Sequence, residues 1–219
     1  MVKRIQRVVR CYPDGVWGRR TTEAVMNWQK AHGLTPDGLV GPATLVKMGL
    51  SQVVSGFKVQ DSKTIDHNGI VLKKSKRRID YIAVHCTATR EGQAKTVEQI
   101  RAEHKKQGWS DIGYHYVIDL QGNVHLGRDV DISGSHVSGY NSYSIGVVYV
   151  GGLENDPKKT YSQLKAKDTR TNAQKAALLS LLMDLRKLYP QAKIMGHRDF
   201  PKVAKACPSF DAKTEYARI

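Results

Sequence analysis

Two histidines and a cysteine carry the first chemical question of this sequence. His85 closes a short apolar run, Ile79 to His85, which reads as a buried strand delivering a side chain into a cleft. His197 follows a second such run, Ala192 to Met195, and Cys207 lies ten residues further on, with Pro208 behind it. A catalytic zinc ion takes three protein ligands of the histidine, cysteine or carboxylate type and keeps one position open for water. These three residues could supply them. No short metal-binding motif is present, and a lone histidine at a strand end is more often a hydrogen-bonded structural residue. Spacing alone therefore leaves both readings open.

The three cysteines are Cys11, Cys86 and Cys207. An odd, widely spaced set without a secretory signal argues against a disulfide framework. Cys86 adjoins His85 on the same strand, where neighbours point to opposite faces. If His85 faces a metal, Cys86 faces the core.

The elements that must position these residues are α/β in pattern. Thr96-Val97-Glu98-Gln99 and Thr171-Asn172-Ala173-Gln174 have capping-box spacing and each opens a helix. The first runs to about Gln107 and is stopped by Gly108. The second carries Ala177, Leu178, Leu181, Leu182, Leu185 and Leu188 on one face and is ended by Pro190. Tyr114 to Asp119 and Val124 to Leu126 flank Leu120-Gln121-Gly122-Asn123, a hairpin signal. Ile145 to Val150 is another buried strand. The expectation is a mixed central sheet flanked by helices over residues 79–219.

Residues 1–50 differ. Asp14-Gly15-Val16-Trp17-Gly18 recurs as Asp37-Gly38-Leu39-Val40-Gly41, with Thr21 and Thr44 at the same offset. Helices are predicted before, between and after these turns: one with Val2, Ile5, Val8 and Val9, one over Thr21 to His32 stopped by Gly33, and one with Pro42 in its first turn, through Met48. Three short helices sharing a core make a small separate domain. Residues 51–78 read as a polar linker with one short strand at Gly69 to Leu72, ending in the basic cluster Lys73 to Arg78. That cluster is either a solvated charge run or a contact for an anionic wall or membrane surface.

The chain has 219 residues, 40% hydrophobic and 25% charged, and carries a formal net charge of +15. A packed core is affordable and global disorder is excluded. The charge favours polyanions without choosing among nucleic acid, lipid and wall polymer. No run is long and apolar enough to span a membrane. Met1 to Arg10 lacks the apolar stretch of a secretory signal, so synthesis in the cytoplasm is expected.

Ordered motifs sharpen this picture. Residues 1–50, with the paired turns and Ala24-Val25 through Leu34, resemble the peptidoglycan-binding three-helix domain of wall hydrolases. Val84-His85-Cys86-Thr87-Ala88-Thr89, Gly113-Tyr114-His115-Tyr116, Gly139-Tyr140-Asn141 with Ser144-Ile145-Gly146-Val147, Gly196-His197-Arg198-Asp199 and Lys205-Ala206-Cys207-Pro208 resemble, in that order, the N-acetylmuramoyl-L-alanine amidases of phage lysozymes, relatives of the peptidoglycan recognition proteins. The resemblance implies zinc ligation by His85, His197 and Cys207 and catalytic roles for Tyr114 and Lys205. His115 is then structural, and His136 and Asn141 are expected to contact substrate. Some amidases of this superfamily place a glutamate after the Ser-Ile-Gly stretch; here Val147-Val148-Tyr149 offers no carboxylate. The implied activity is cleavage of the bond between N-acetylmuramic acid and L-alanine, by a monomer acting on peptidoglycan once the host membrane is permeabilised. The alternatives are a recognition protein that holds peptidoglycan without cutting it, and an amidase that also inhibits a phage RNA polymerase. The first is disfavoured because Cys207 is present, the second because the extra N-terminal domain could block such a surface.

Overall fold

The protein is described by a computed structural model covering residues 2–50 and 64–219. Residues 51–63, most of the expected linker, lie outside the described residues.

The N-terminal region holds α1 (Val2–Val8), α2 (Arg19–Ala31) and α3 (Pro42–Lys47). Their apolar faces meet through Ile5, Val25, Val40, Leu45, Met48 and Leu50. The two Asp-Gly turns are organised by a pair of buried glutamines that the turn motif did not reveal. Gln6 donates to Asp14 Oδ1, Val16 O and Thr21 Oγ1, and accepts from Gly15 N. Gln29 donates to Asp37 Oδ1, Leu39 O and Thr44 Oγ1, and accepts from Gly38 N. Each partner has moved by the same 23 residues. A polar side chain buried this way must have its hydrogen bonds answered, and both glutamines are answered identically. The region is a helix–turn unit used twice.

Past the gap, β1 (Thr64–His67) and β2 (Ile70–Lys73) pair antiparallel. Next come β3 (Tyr81–Cys86), β4 (Thr89–Arg90), α4 (Val97–Lys106), β5 (Tyr116–Ile118) and β6 (Val124–Leu126). The chain continues with β7 (Ser144–Tyr149), β8 (Gly152–Leu153), α5 (Asn172–Leu188), β9 (Lys193–Gly196) and α6 (Ala212–Glu215). Five strands form the central sheet in the order β6-β5-β7-β3-β9, parallel except for the antiparallel β5–β6 edge. Helix α4 lies in the crossover from β3 to β5 and α5 in that from β7 to β9, each passing over one intervening strand to reach another parallel one.

Both capping boxes form: the Thr96 and Thr171 hydroxyls accept from Gln99 N and Gln174 N. The two sheet faces bury different sets. Ile82, Val84, Cys86, Tyr116, Ile118, Ile145, Val147 and Tyr149 share a core with Leu178, Leu181, Leu182 and Leu185 of α5. Val117, Val148 and Val150 pack on the other face with Val97 and Ile100 of α4. Alternation along β3 therefore places His85 and Cys86 on opposite faces, with His85 away from the long helix. Among the described residues no helix is long and apolar enough to cross a membrane.

Residues 64–78 belong to the folded body rather than to an unstructured tether. The expected single strand is a full hairpin against α5, with His67 Nδ1 2.8 Å from Asp184 Oδ2. The basic cluster is partly consumed internally. Lys73 pairs with Asp129 and Asp131 at 3.0 and 3.1 Å. Arg77 donates to the carbonyls of Val130, Asn141, Ser142 and Ser144. Charge density could not distinguish these inward-turned side chains from solvated ones, because their partners lie more than fifty residues away.

Candidate functional site

Strand β3 ends by presenting His85, which is almost wholly buried. One strand over, β9 ends at Gly196, whose amide donates to Asp199 Oδ2 at 2.8 Å, tightening the turn that holds His197. The loop bearing Cys207 is pinned on several sides. Arg198 N donates to Cys207 O at 2.8 Å, Tyr149 OH to Pro208 O at 2.7 Å, and Ser209 Oγ to Gly152 O at 2.8 Å. The outcome is convergence: one donor atom each from His85, His197 and Cys207 lies within 4.8 Å of the other two. Cys207 Sγ is 3.7 Å from His85 Nδ1, close to the edge of a tetrahedron with bond lengths of about 2.0–2.3 Å. The cluster contains no carboxylate, and Val147, Val148 and Tyr149 are all sealed in the sheet.

The electrostatics suit ligation by neutral imidazole. Burial, with His136, His197 and Lys205 nearby, holds His85 well below the usual histidine range. Burial and the Lys205 ammonium bring His197 down to about 4. Cys207 Sγ receives the Cys86 amide at 3.3 Å, a contact suited to a sulfur carrying negative charge. Cys86 itself faces the core, its Sγ 3.6 Å from Ser209 Oγ. Contact with the Cys207 thiol draws Cys86 down to about 7, whereas the same contact and burial push Cys207 up.

Tyr114 precedes β5, and its ring lies 5.2 Å from that of His85 and 5.4 Å from that of His104. Burial raises its phenol above the ordinary value, with Cys207 contributing, so it remains a protonated donor. Lys205 is exposed on the Cys207 loop, near enough that its charge acts on His85, His197 and Cys207. His115 points the other way. Its Nδ1 accepts from Gly146 N at 2.9 Å and its Nε2 lies 3.1 Å from Ile132 O, the pattern of a structural residue.

Of the two residues expected at the substrate surface, His136 is drawn beneath it, and the half-buried Asn141 has its side-chain oxygen engaged within the loop. His136 is buried, with Nδ1 3.1 Å from His85 Nε2, behind the cluster rather than in front of it. Asn141 Oδ1 accepts from the amides of His136 and Val137 at 2.8 and 2.9 Å, so its acceptor is spent on holding the loop. Loop position suggested exposure; the glycines that let the loop sink onto the sheet decide otherwise. Sequence reading gave no individual role to Ser144 or Gly146 and took Arg77 only as part of the basic cluster, yet all three shape this loop. The Ser-Ile-Gly stretch was the available signal.

This geometry agrees with comparisons to known proteins. Residues 75–210 match the family model described as N-acetylmuramoyl-L-alanine amidase, and residues 11–48 match that of a peptidoglycan binding domain. The chain belongs to the N-acetylmuramoyl-L-alanine amidase family. Its relatives include the endolysin of Klebsiella phage KP32, 46% identical over 134 residues, covering 60% of this chain and 82% of that one. The endolysin of Escherichia phage T7 is 43% identical over 140 residues, covering 64% and 87%. Among solved structures, N-acetylmuramoyl-L-alanine amidase LysC from Clostridium intestinale URNW aligns with a TM-score of 0.50 at 27% identity, covering 64% of this chain and 82% of that one.

Proposed function

We propose that this chain is an endolysin that hydrolyses the amide joining the muramic lactyl group to L-alanine in peptidoglycan, with zinc held by His85, His197 and Cys207. The observation that carries the reading is the convergence of those three donors within 4.8 Å at one end of the sheet, beside Tyr114. The donor set fits: two histidines held neutral by burial, and one sulfur reached by a backbone amide. Bound there, the ion would supply Lewis-acid polarisation and acidify water.

The chain's own residues supply the rest. Tyr114, kept protonated, donates a hydrogen bond to the carbonyl oxygen as negative charge develops on it. Lys205, free at its end to swing over the cluster, places a positive charge beside the same oxygen. Donors aimed at developing charge are worth most where water is thinned out. One of the two then passes a proton to the departing amine. The site lacks a carboxylate after the Ser-Ile-Gly stretch, so this assignment leans on Tyr114 and Lys205 alone. Residues 1–50 would hold the enzyme on the wall, raising its effective concentration at the substrate, and residues 79–219 would carry the chemistry. Action on the wall would follow permeabilisation of the host membrane.

Mass analysis of digested peptidoglycan tests the bond. Glycan strands freed from intact stem peptides are expected; cleaved glycan or cleaved stem peptides overturn the assignment. Metal analysis of the purified chain tests the ion, with about one zinc per chain expected.

A further inference from the structure

The loop between β6 and β7 buries an imidazole where nothing in the reaction needs one. His136 rests against two glycines. A Cβ on Gly146 would meet its ring atoms at 2.7–2.9 Å, and one on Gly134 would meet its Cδ2 at 2.4 Å. No other residue type leaves room for the ring at those positions. The sheet and loop are shaped around this side chain.

Its hydrogen bonds run in one direction. Ser144 Oγ is 2.8 Å from Tyr140 O, which can only accept, so the single hydroxyl proton is committed there. Toward His136, Ser144 then offers only lone pairs. His136 Nε2 lies 3.4 Å from that oxygen and must carry the imidazole proton. This leaves His136 Nδ1 as a lone pair, 3.1 Å from His85 Nε2. His85 must therefore be protonated on Nε2. Its Nδ1 lone pair is left facing Cys207 Sγ at 3.7 Å, inside the three-donor cluster.

We propose that His136 is a positioning residue. Through the chain Tyr140 O–Ser144–His136 it fixes His85 in the tautomer and ring orientation that ligates metal through Nδ1. The inference rests on the metal reading above. Histidine ligands are commonly fixed by a carboxylate or carbonyl on the far nitrogen, and losing such a partner typically costs 10–100-fold in metal affinity. Here the partner is a neutral imidazole, so the ligand is oriented without adding a negative charge beside the cluster. The arrangement also accounts for Ser144 and Gly146 standing together: one sets the proton, the other makes space for the ring.

The test is made on the full chain. Long-range proton–nitrogen correlation spectra of the metal-free, nitrogen-15-labelled protein read the tautomer of His85 directly. Zinc affinity is measured by competition with a chromophoric chelator. In the wild type His85 should be protonated on Nε2 alone. His136→Ala should give mixed tautomers and bind zinc 10–100-fold more weakly. His136→Asn places an amide oxygen where Nδ1 was, and should recover most of that affinity. Ser144→Ala leaves the ring packed but frees its tautomer, and should weaken zinc binding by a smaller factor; it serves if His136→Ala does not fold. An unchanged His85 tautomer and unchanged zinc affinity in His136→Ala, or in Ser144→Ala where that variant stands in, overturn the proposal. So does a failure of His136→Asn to recover affinity while folded. If the wild type binds no zinc, the metal reading fails, and the tautomer spectra of the metal-free chain still decide the relay.

Discussion

Replacing Gln29 by alanine should unfold the N-terminal region and leave the catalytic body intact. The side chain donates to three acceptors and receives one amide, that of Gly38, at 2.7–3.2 Å. A neutral hydrogen bond contributes about 0.5–1.5 kcal/mol net, and an orphaned buried group costs about 1–3 kcal/mol. With water reaching the half-exposed turn, the loss is on the order of 3–4 kcal/mol. A region of some fifty residues is stabilised by only about 2.5–7.5 kcal/mol at typical per-residue values. The substitution removes most of that margin. Gln6→Ala should behave alike, because its partners are the same in kind; the exposed Lys30→Ala is the control. Calorimetry should show an early transition lost or shifted down, and sedimentation with purified peptidoglycan should fall. Turnover of soluble muropeptides should stay within about twofold. If turnover collapses together with wall binding, the two regions are not separable and the domain assignment fails. If Gln29→Ala melts like Lys30→Ala, the glutamine does not hold the turn.

Other outcomes follow from the site. Tyr114→Phe and Lys205→Ala should each retain zinc yet lose on the order of 10²–10³ in turnover, the usual cost of one oxyanion donor; near-normal turnover in both removes them from the mechanism. Cys207→Ser should lose most of its zinc, whereas folded Cys86→Ser should keep it, since Cys86 is not among the three converging donors and a serine there still supplies the main-chain amide that reaches Cys207 Sγ; zinc per folded chain decides. Acid should destabilise the protein through its buried histidines. Burial holds His115 at about 4 against an ordinary 6.5, so between these values the unfolded chain takes up the proton and the folded chain resists. This stabilisation is complete above about pH 6.5 and lost as pH falls toward 4, and the shift is worth about 2 kcal/mol by pH 5. Denaturant midpoints for wild type and His115→Asn should converge with falling pH; a constant gap refutes the assignment.

Local signals carried much of this structure. Both capping boxes, the hairpin turn, the apolar face of α5 and the strand endings at His85 and His197 could be read because each depends on neighbours a few residues away. Boundaries moved by one or two residues: the run from Ile79 becomes a strand only at Tyr81. What stayed hidden was set by distant partners. Gln6 and Gln29 looked like ordinary helix residues until their turns folded over them. Arg77 looked like linker charge because the carbonyls it satisfies lie more than fifty residues on. His136 and Asn141 sat in a loop, and loops are usually exposed; only the approach permitted by Gly134 and Gly146 shows the imidazole lying beneath the cluster. The three donors that converge, His85, His197 and Cys207, were singled out by ordered motifs rather than by spacing, which gave no geometry.

The placement of the cluster has a consequence for durability. His85 and Cys207 stand 122 residues apart in sequence. An ion gripping both would act as a covalent-like tie across nearly the whole catalytic region, and ties closing loops of about 100 residues restrict the unfolded chain by about 4–5 kcal/mol in the entropic picture. Stripping the metal would then do two things at once: silence the enzyme and slacken the segment from His197 to Ser209, which an ion there would help its hydrogen bonds to hold. A spent molecule would become digestible at the moment it became inert, so its working life would be set by how long it keeps its metal.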